Sequence, residues 1–258
     1  MKKLVMSIAI CAVVGLAFVP LAQAQDEAPG EIAMMTYWEA KEGMESEFEA
    51  GLKQHNELHV QQKDPKALYT WQIVTGKYAG TYARGSFGNH WADLDLPKEF
   101  EKADEADAAE TLDPYIGSAN PVIYHYLADW SRPSATPGPK ALTRVVHFHV
   151  KNGMQGKFSG AIDKIHKAIG ETDWPSNYDW WEVVDGGDIP TYVLALPRDN
   201  WAGFEPADPS MSEMLTGVYG AEGVQEIFAA FESVDEEHSA TYAYRADLSY
   251  VPAMGDSE

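Results

Sequence analysis

The sequence contains a single cysteine, Cys11, close to its N-terminus. An apolar stretch surrounds this cysteine, with Lys2 and Lys3 before it and the small residues Ala22 and Ala24 after it. This order is typical of a secretory signal with a cleavage site. It predicts a signal peptide over residues 1–24 and a periplasmic or secreted location. The predicted mature chain then has no thiol for a disulfide, a thiolate metal ligand or a nucleophile.

Basic residues are also few. The chain has 19 Lys and Arg residues against 40 Asp and Glu residues, which gives a formal net charge of -21. Such a surface repels phosphate backbones, so nucleic acid is not expected as a partner. No later apolar run approaches the roughly 20 residues that would span a bilayer, so no membrane insertion is expected. A small-molecule ligand and assembly with a second copy of the chain stay open.

An internal repeat is the main feature that the sequence does contain. "KEGMESEF" at Lys41 returns as "KNGMQGKF" at Lys151, an offset of 110 residues. This offset holds without a gap as far as "WA" at Trp91 and Trp201, with 12 identities in 52 positions. It then grows to 118, where "YHYLAD" is matched by "YAYRAD". Because order and spacing persist together, the repeat predicts two copies of one structural unit.

Each copy has the pattern strand, helix, strand, strand, helix, strand. The first strands, "IAMMTYWEA" and "RVVHFHV", are rich in β-branched and aromatic residues, and apolar residues then recur at helical spacing. This order predicts an α+β fold with two tandem ferredoxin-like βαββαβ repeats, at residues 31–130 and 142–252. Residues 131–141 form a proline-rich linker between them. One such sheet carries helices on one face only, so the two bare faces are expected to close into an intramolecular dimeric α/β barrel.

This arrangement resembles the dimeric α/β-barrel superfamily. The run beginning at Lys41, together with Trp71 and Gly76, looks most like the NIPSNAP-like and antibiotic-biosynthesis-monooxygenase-like branches. The resemblance implies a barrel with its ligand cavity inside. The superfamily includes haem proteins, small-molecule monooxygenases and binding proteins, so the fold alone implies no single function. No catalytic signature of any branch carries over to particular residues.

Strand alternation assigns the face of each residue in the two first strands. Trp38 and Phe148 are expected beneath the helices, while their neighbours face the barrel interior. Arg84 and Glu182 are further polar residues on strands. The predicted ligand-binding set of the interior is Tyr37, Glu39, Arg84, His147, His149 and Glu182.

Two pairs of histidines are candidate metal ligands. His147 and His149, with a carboxylate from a facing strand, could bind zinc or iron. They could equally form a hydrogen-bonded polar lining, the reading we favour because no third histidine has a diagnostic spacing. His55 and His59 have i, i+4 spacing on the first helix and could share a ligand. Since their face of the helix packs on the outside of the sheet, we interpret them as a satisfied pair.

Two functions of different classes are compatible with these patterns. The first, and the leading expectation, is an exported binding protein that holds a small apolar or aromatic molecule in its barrel. The alternative is a monooxygenase-like or isomerase-like enzyme, which convergent polar groups in an aromatic cavity would favour. It would be cofactor-free or would use haem or a metal at His147 and His149. The sequence itself names no cofactor.

Overall fold

The structure, a computed structural model, describes residues 29–252. The predicted signal peptide lies outside the described residues. Eight strands and four helices alternate with short 3-10 turns. In chain order they are β1 (Ile32–Ala40), α1 (Glu45–Gln62), β2 (Tyr69–Ile73), β3 (Tyr82–Asn89), α2 (Lys98–Thr111), β4 (Ile116–Tyr126), β5 (Leu142–Val150), α3 (Gln155–Thr172), β6 (Asp179–Asp185), β7 (Thr191–Arg198), α4 (Met211–Ala230) and β8 (Val234–Tyr244).

The bounds of these elements repeat at the offsets in the sequence. β1 begins at Ile32 and β5 at Leu142, and α1 and α3 each have 18 residues, beginning at Glu45 and Gln155. The second helices differ, because α4 has 20 residues with a kink at Gly220 whereas α2 has 14. This longer helix contains most of the extra residues of the second copy. The tandem ferredoxin-like duplication is therefore confirmed, although the exact boundaries of the two units stay a prediction.

All eight strands form one closed barrel in the order β1-β3-β2-β8-β5-β7-β6-β4. The strands of each copy are contiguous, and the copies join at two seams, β2 against β8 and β4 against β6, both antiparallel. Each edge that one ferredoxin-like sheet would leave unpaired is thus paired by the other copy, so the barrel has no open edge. The predicted intramolecular barrel is confirmed.

The core is divided by the barrel wall into an inner and an outer part. Phe148 lies outside the wall, beneath the helices as predicted, and its ring centroid is 5.6 Å from that of Phe158 and 5.7 Å from that of Trp180. Trp38 packs outside the wall against Phe48. Inside the wall is a separate cluster from both copies, which includes Met35, Tyr37, Trp71, Val145, Val193 and Tyr242. No helix of residues 29–252 has the length and apolar character needed to cross a membrane.

Candidate active site

One end of the barrel contains an open cavity of about 730 Å³. Its walls are inward-facing side chains of both copies, and residues 133–140, from the connection between the copies, lie along its mouth. Apolar and aromatic groups dominate the walls, as they do in most small-molecule sites. The aromatic members are Tyr37, Tyr69, Trp71, Phe87, Tyr124, Tyr126, Trp181 and Tyr242.

Three tyrosines from β1, β4 and β8 meet inside this cavity. The hydroxyl oxygens of Tyr37 and Tyr124 are 2.8 Å apart, and the hydroxyl of Tyr242 lies beside that of Tyr37. Burial raises the pKa of Tyr37, and it raises the pKa values of Tyr124 and Tyr242 well above their usual value. All three phenols therefore stay protonated at neutral pH. They offer O–H donors to an oxygen of a bound molecule.

Asp179 is the first residue of β6 and lines the same cavity. Burial raises its pKa, although the hydroxyl of Tyr126, which donates to Oδ1 at 3.2 Å, acts in the opposite direction. A carboxylate with a raised pKa is a stronger base than an ordinary aspartate and is typical of catalytic positions. Sequence reasoning missed Asp179. The available signal was strand alternation, since Asp179 shares its face of β6 with the interior residue Val183.

His147 and His149 lie on the interior face of β5, as predicted, but not in the cavity. His147 is paired across the strands with the interior residue Val193 and stacks on His238, with ring centroids 4.5 Å apart. Burial, assisted by the neighbouring His238, lowers the pKa of His147 to about 4. The ring is therefore neutral. Nδ1 of His149 is 3.1 Å from Oγ1 of Thr191.

This environment does not fit the haem or metal considered for His147 and His149. Among residues 29–252, the one set of three or more candidate ligand atoms that converge lies elsewhere, on α1 and α2. The ring of His147 is covered by His238, and no histidine is among the described residues that line the cavity. A porphyrin or a three-ligand ion would need both an open face and further donors. The pair His147 and His149 therefore does not fit a bound haem or metal ion.

Glu39 is at the end of β1 away from the cavity. It is exposed and accepts a hydrogen bond from Oγ of Ser118 at 3.3 Å. The predicted interior set is thus not brought together, because of its members only Tyr37 lines the cavity. The members of the set lie at different depths along the barrel, because successive side chains on one face of a strand are about 7 Å apart. Glu39 therefore lies beyond Tyr37, at the opposite rim.

The predicted interior placement of Arg84 and Glu182 is wrong. Their strand neighbours Ala83 and Val183 point into the barrel, so alternation directs both charged residues outward, beneath the helices. Arg84 is 5% exposed and donates to Oδ1 of Asn56 at 2.6 Å. Glu182 lies beside Tyr192, where it adds to the effect of burial in raising the pKa of that phenol. Both residues belong to the contact between sheet and helices.

Comparison with solved structures identifies the fold class. Chlorite dismutase from Candidatus Nitrospira defluvii, in complex with imidazole, is similar with a TM-score of 0.52 and 8% identity, covering 84% of this chain and 91% of its own. A candidate monooxygenase from Fusobacterium nucleatum has a TM-score of 0.50 and 9% identity, covering 83% of this chain and 91% of its own. No protein-family model matches the sequence, and no curated protein is significantly similar to it. The chain has the dimeric α/β-barrel fold, as the resemblance in the sequence implied.

The leading expectation of an exported binding protein is corrected by these findings. The solved structures that share the fold are described as a chlorite dismutase and a monooxygenase. At these identities the likeness shows the fold alone. The cavity of this chain, however, contains a carboxylate with a raised pKa, Asp179, among its aromatic walls. The cavity therefore favours the enzyme alternative over the binding protein.

Proposed function

We propose that this protein is a small-molecule enzyme that transfers a proton from an aromatic substrate inside the barrel, either as an isomerase or as a cofactor-free oxygenase. The observation that carries the proposal is Asp179, whose carboxylate has a raised pKa within an otherwise aromatic and apolar cavity. The pKa of a general base is most useful when it lies close to the working pH, and burial moves that of Asp179 in this direction.

The first step is removal of an acidic C–H proton that is conjugated with a substrate carbonyl, either directly or through an aromatic ring. The Asp179 carboxylate takes the proton, and the electron pair moves to the carbonyl oxygen to form an enolate. Tyr126, which hydrogen-bonds to Asp179, is two residues after Tyr124 on β4. Tyr124 therefore lies roughly 7 Å deeper in the barrel than Tyr126. A molecule of two or three fused rings therefore spans the space from Asp179 to the tyrosines. The protonated phenols then donate to the enolate oxygen and stabilise its charge.

The fate of the enolate separates the two reaction types. In an isomerase, protonated Asp179 returns the proton to a different carbon and is regenerated. In an oxygenase, the carbon of the enolate reacts with dioxygen, the co-reactant that this proposal requires, to form a peroxide. The peroxide takes the proton back from Asp179 and loses water to leave a new carbonyl. Anthrone is a suitable probe because its methylene hydrogens are acidic. Its oxidation to anthraquinone consumes one dioxygen and releases one water.

The test is to measure, with the whole protein, the exchange of the anthrone methylene hydrogens in deuterated water and the consumption of oxygen. Asp179→Asn should lower kcat/KM by about 100-fold or more, the usual contribution of a general base. The wild-type rate should rise with pH as Asp179 loses its proton. Asp185→Asn, at the exposed far end of the same strand, is the matched control and should keep the wild-type rate.

Two results would contradict the proposal. One is equal acceleration by the wild-type protein and Asp179→Asn, which would assign the chemistry to other groups. The other is that a panel of two- to four-ring ketones and phenols neither binds nor exchanges. Tyr124→Phe separates the role of the base from that of the phenol that donates a hydrogen bond to the enolate oxygen. It should slow exchange while leaving the pH dependence in place.

Location and assembly are part of the same proposal. We infer cleavage after Ala24 and a periplasmic or secreted enzyme from the signal pattern. An intact mass of the protein from its own host should begin at Gln25, and retention of Lys2 would rule cleavage out. The partner is a small molecule rather than nucleic acid, given the net charge of -21. Assembly with a second copy is to be tested by light scattering.

A further inference from the structure

A second polar cluster lies outside the barrel, between α1 and α2. Its centre is formed by His55 and His59 of α1, both buried, and by Asp104 of α2. The candidate ligand atoms of these three side chains all lie within 4.8 Å of one another. Oδ1 of Asp104 is buried and has no hydrogen-bond partner among the described residues. A carboxylate oxygen without a hydrogen bond is costly to bury, so a cation bound beside it would stabilise the cluster.

Two of the three separations within the cluster match those between ligands of one metal ion, and the third is no more than 4.8 Å. Nε2 of His55 is 3.4 Å from Oδ1 of Asp104, and Nε2 of His59 is 3.7 Å from the same oxygen. Both distances are too long for good hydrogen bonds. Two ligands each about 2.0–2.1 Å from a tetrahedral zinc ion are separated by roughly 3.4 Å. The observed spacing therefore leaves room for an ion among the three atoms.

The other nitrogen of each imidazole is already fixed by a carboxylate. Nδ1 of His55 is 2.8 Å from Oδ2 of Asp107, and Nδ1 of His59 is 2.9 Å from Oδ2 of Asp64. A carboxylate can only accept, so each Nδ1 carries the hydrogen when the ring is neutral, and each Nε2 keeps a free electron pair. This carboxylate–histidine arrangement is the usual outer support of a metal-bound imidazole.

The carboxylates themselves are held by the surrounding chain. The backbone N–H of Lys66 donates to Oδ1 of Asp64 at 2.9 Å, and Oγ1 of Thr111 is 3.3 Å from Oδ2 of Asp107. Helix α2 can approach this closely because a Cβ on Gly51 of α1 would be 1.9 Å from the carbonyl oxygen of Thr111. The arrangement is thus fixed by two packed helices rather than by mobile side chains.

The charges around the cluster also favour a divalent cation. Asp64, Asp104 and Asp107 supply three carboxylates, and the buried guanidinium of Arg84 lies close enough to disfavour protonation of both histidines. With neutral imidazoles these groups leave two negative formal charges in a partly buried site. One divalent ion would neutralise them.

The second copy of the repeat provides an internal comparison. The offset of 110 matches His55 and His59 to Ile165 and Ile169, and Arg84 to Leu194. In that copy the helices α3 and α4 are joined by an apolar cluster that contains all three residues. The first copy has a polar cluster at the equivalent place, so packing alone did not require these histidines.

We propose that His55, His59 and Asp104 form a binding site for a divalent transition-metal ion, with zinc as the best match to two nitrogen ligands and one oxygen ligand. The fourth ligand would be a water molecule that reaches the ion past the outer part of Asp104, whose side chain as a whole is 31% exposed, whereas both histidines are nearly fully covered. The ion joins α1 to α2 on the outside of the barrel. This site is separate from the cavity of the proposed enzyme and does not depend on its function.

The test uses the chain without a histidine tag, stripped with a chelator and then titrated with Zn²⁺ against a chromophoric competitor. One equivalent should bind, and Co²⁺ in its place should give the visible absorption of a tetrahedral N₂O₂ site. Asp104→Asn should weaken Zn²⁺ binding by more than about 100-fold, and Asp107→Asn by about 10- to 100-fold. Circular dichroism checks that each variant is folded.

Two control variants are available in the chain itself. The double variant His55→Ile, His59→Ile copies the residues of the second repeat and should remain folded without binding Zn²⁺. The double variant His147→Gln, His149→Gln should still bind one equivalent. The proposal is overturned if the stripped wild-type chain takes up no Zn²⁺ or Co²⁺, or if folded Asp104→Asn and His55→Ile, His59→Ile bind as tightly as the wild-type chain.

Discussion

At the scale of the residue, one position along a strand decides whether a charged group meets the cavity or the helices. Asp179 and Glu182 are three residues apart on β6, and they lie on opposite sides of the barrel wall. Burial inside the wall lowers the pKa of His147 to about 4, so its ring is neutral. A buried histidine of this kind makes the free energy of unfolding depend on pH.

His147 should destabilise the fold as the pH falls. Its pKa in the folded chain, about 4, is below the ordinary 6.5, so the unfolded chain binds the proton first. The stability that comes from burying the neutral ring is complete above pH 6.5 and is lost as the pH falls towards 4. The loss should approach 3 kcal/mol, at about 1.4 kcal/mol for each pH unit.

Urea unfolding at pH 7 and pH 4.5 measures this effect. His147→Gln, which cannot titrate, should lose less free energy of unfolding over this range than the wild-type chain. The control is His125→Gln, because the side chain of His125 is 38% exposed and pairs with Glu31 at 3.1 Å. Equal pH dependence in the wild-type chain and His147→Gln would show that His147 does not titrate as described.

At the scale of the element, the two copies pack the same helices by different means. In the second copy, α3 rests on β5 through the aromatic residues Phe148, Phe158 and Trp180, together with Phe231 after α4. In the first copy, α1 meets α2 through His55, Asp104 and their partners. The second pair of helices is joined mainly by apolar contact. The first pair has an apolar cluster around Phe48 and Leu52 and adds the polar cluster to it.

Phe148→Ala should therefore be strongly destabilising. Phe148 is 7% exposed and touches aromatic rings of α3 and β6, so the truncation leaves a cavity that rigid neighbours cannot fill. We expect a loss of about 3 to 5 kcal/mol in the free energy of unfolding, measured by denaturant titration. Phe228→Ala is the matched control on α4, since Phe228 is 46% exposed and should change stability by less than about 0.5 kcal/mol. Similar losses in both variants would contradict the assigned packing.

At the scale of the whole molecule, the barrel exists only when both copies are present. The seams β2–β8 and β4–β6 each pair one strand from each copy, and the inner cluster draws side chains from both. The cavity is likewise shared, because Tyr37 and Tyr124 belong to the first copy and Asp179 and Tyr242 to the second.

Separating the copies should thus expose a complete apolar sheet face in each. Chains of residues 29–130 and 131–252, produced alone, should bind a hydrophobic dye and self-associate. When mixed, they should form a one-to-one complex that unfolds cooperatively. Size-exclusion chromatography with light scattering distinguishes these states. A monomeric fragment with its own sharp unfolding transition would show that the unit of folding is one copy.

The fold was largely predictable because its signals are local. Helical and strand periodicity, turn residues and the repeat at Lys41 and Lys151 are all carried by neighbouring positions. Alternation also assigned Trp38, Phe148 and His147 to their correct faces. Alternation failed for Arg84 and Glu182 because no residue of their strands was known to point into the barrel. The sequence therefore did not show which of the two strand faces is the inner one.

The sequence by itself determined the duplicated βαββαβ order and, through it, the closed barrel, since a bare apolar sheet face has to be covered. Only the tertiary structure decided where chemistry can take place. Asp179 and the tyrosines meet because the seam between β4 and β6 joins different copies, and Asp104 meets His55 because two helices far apart in the chain pack together. These contacts depend on strand pairing and helix packing over long sequence separations, which residue spacing does not encode.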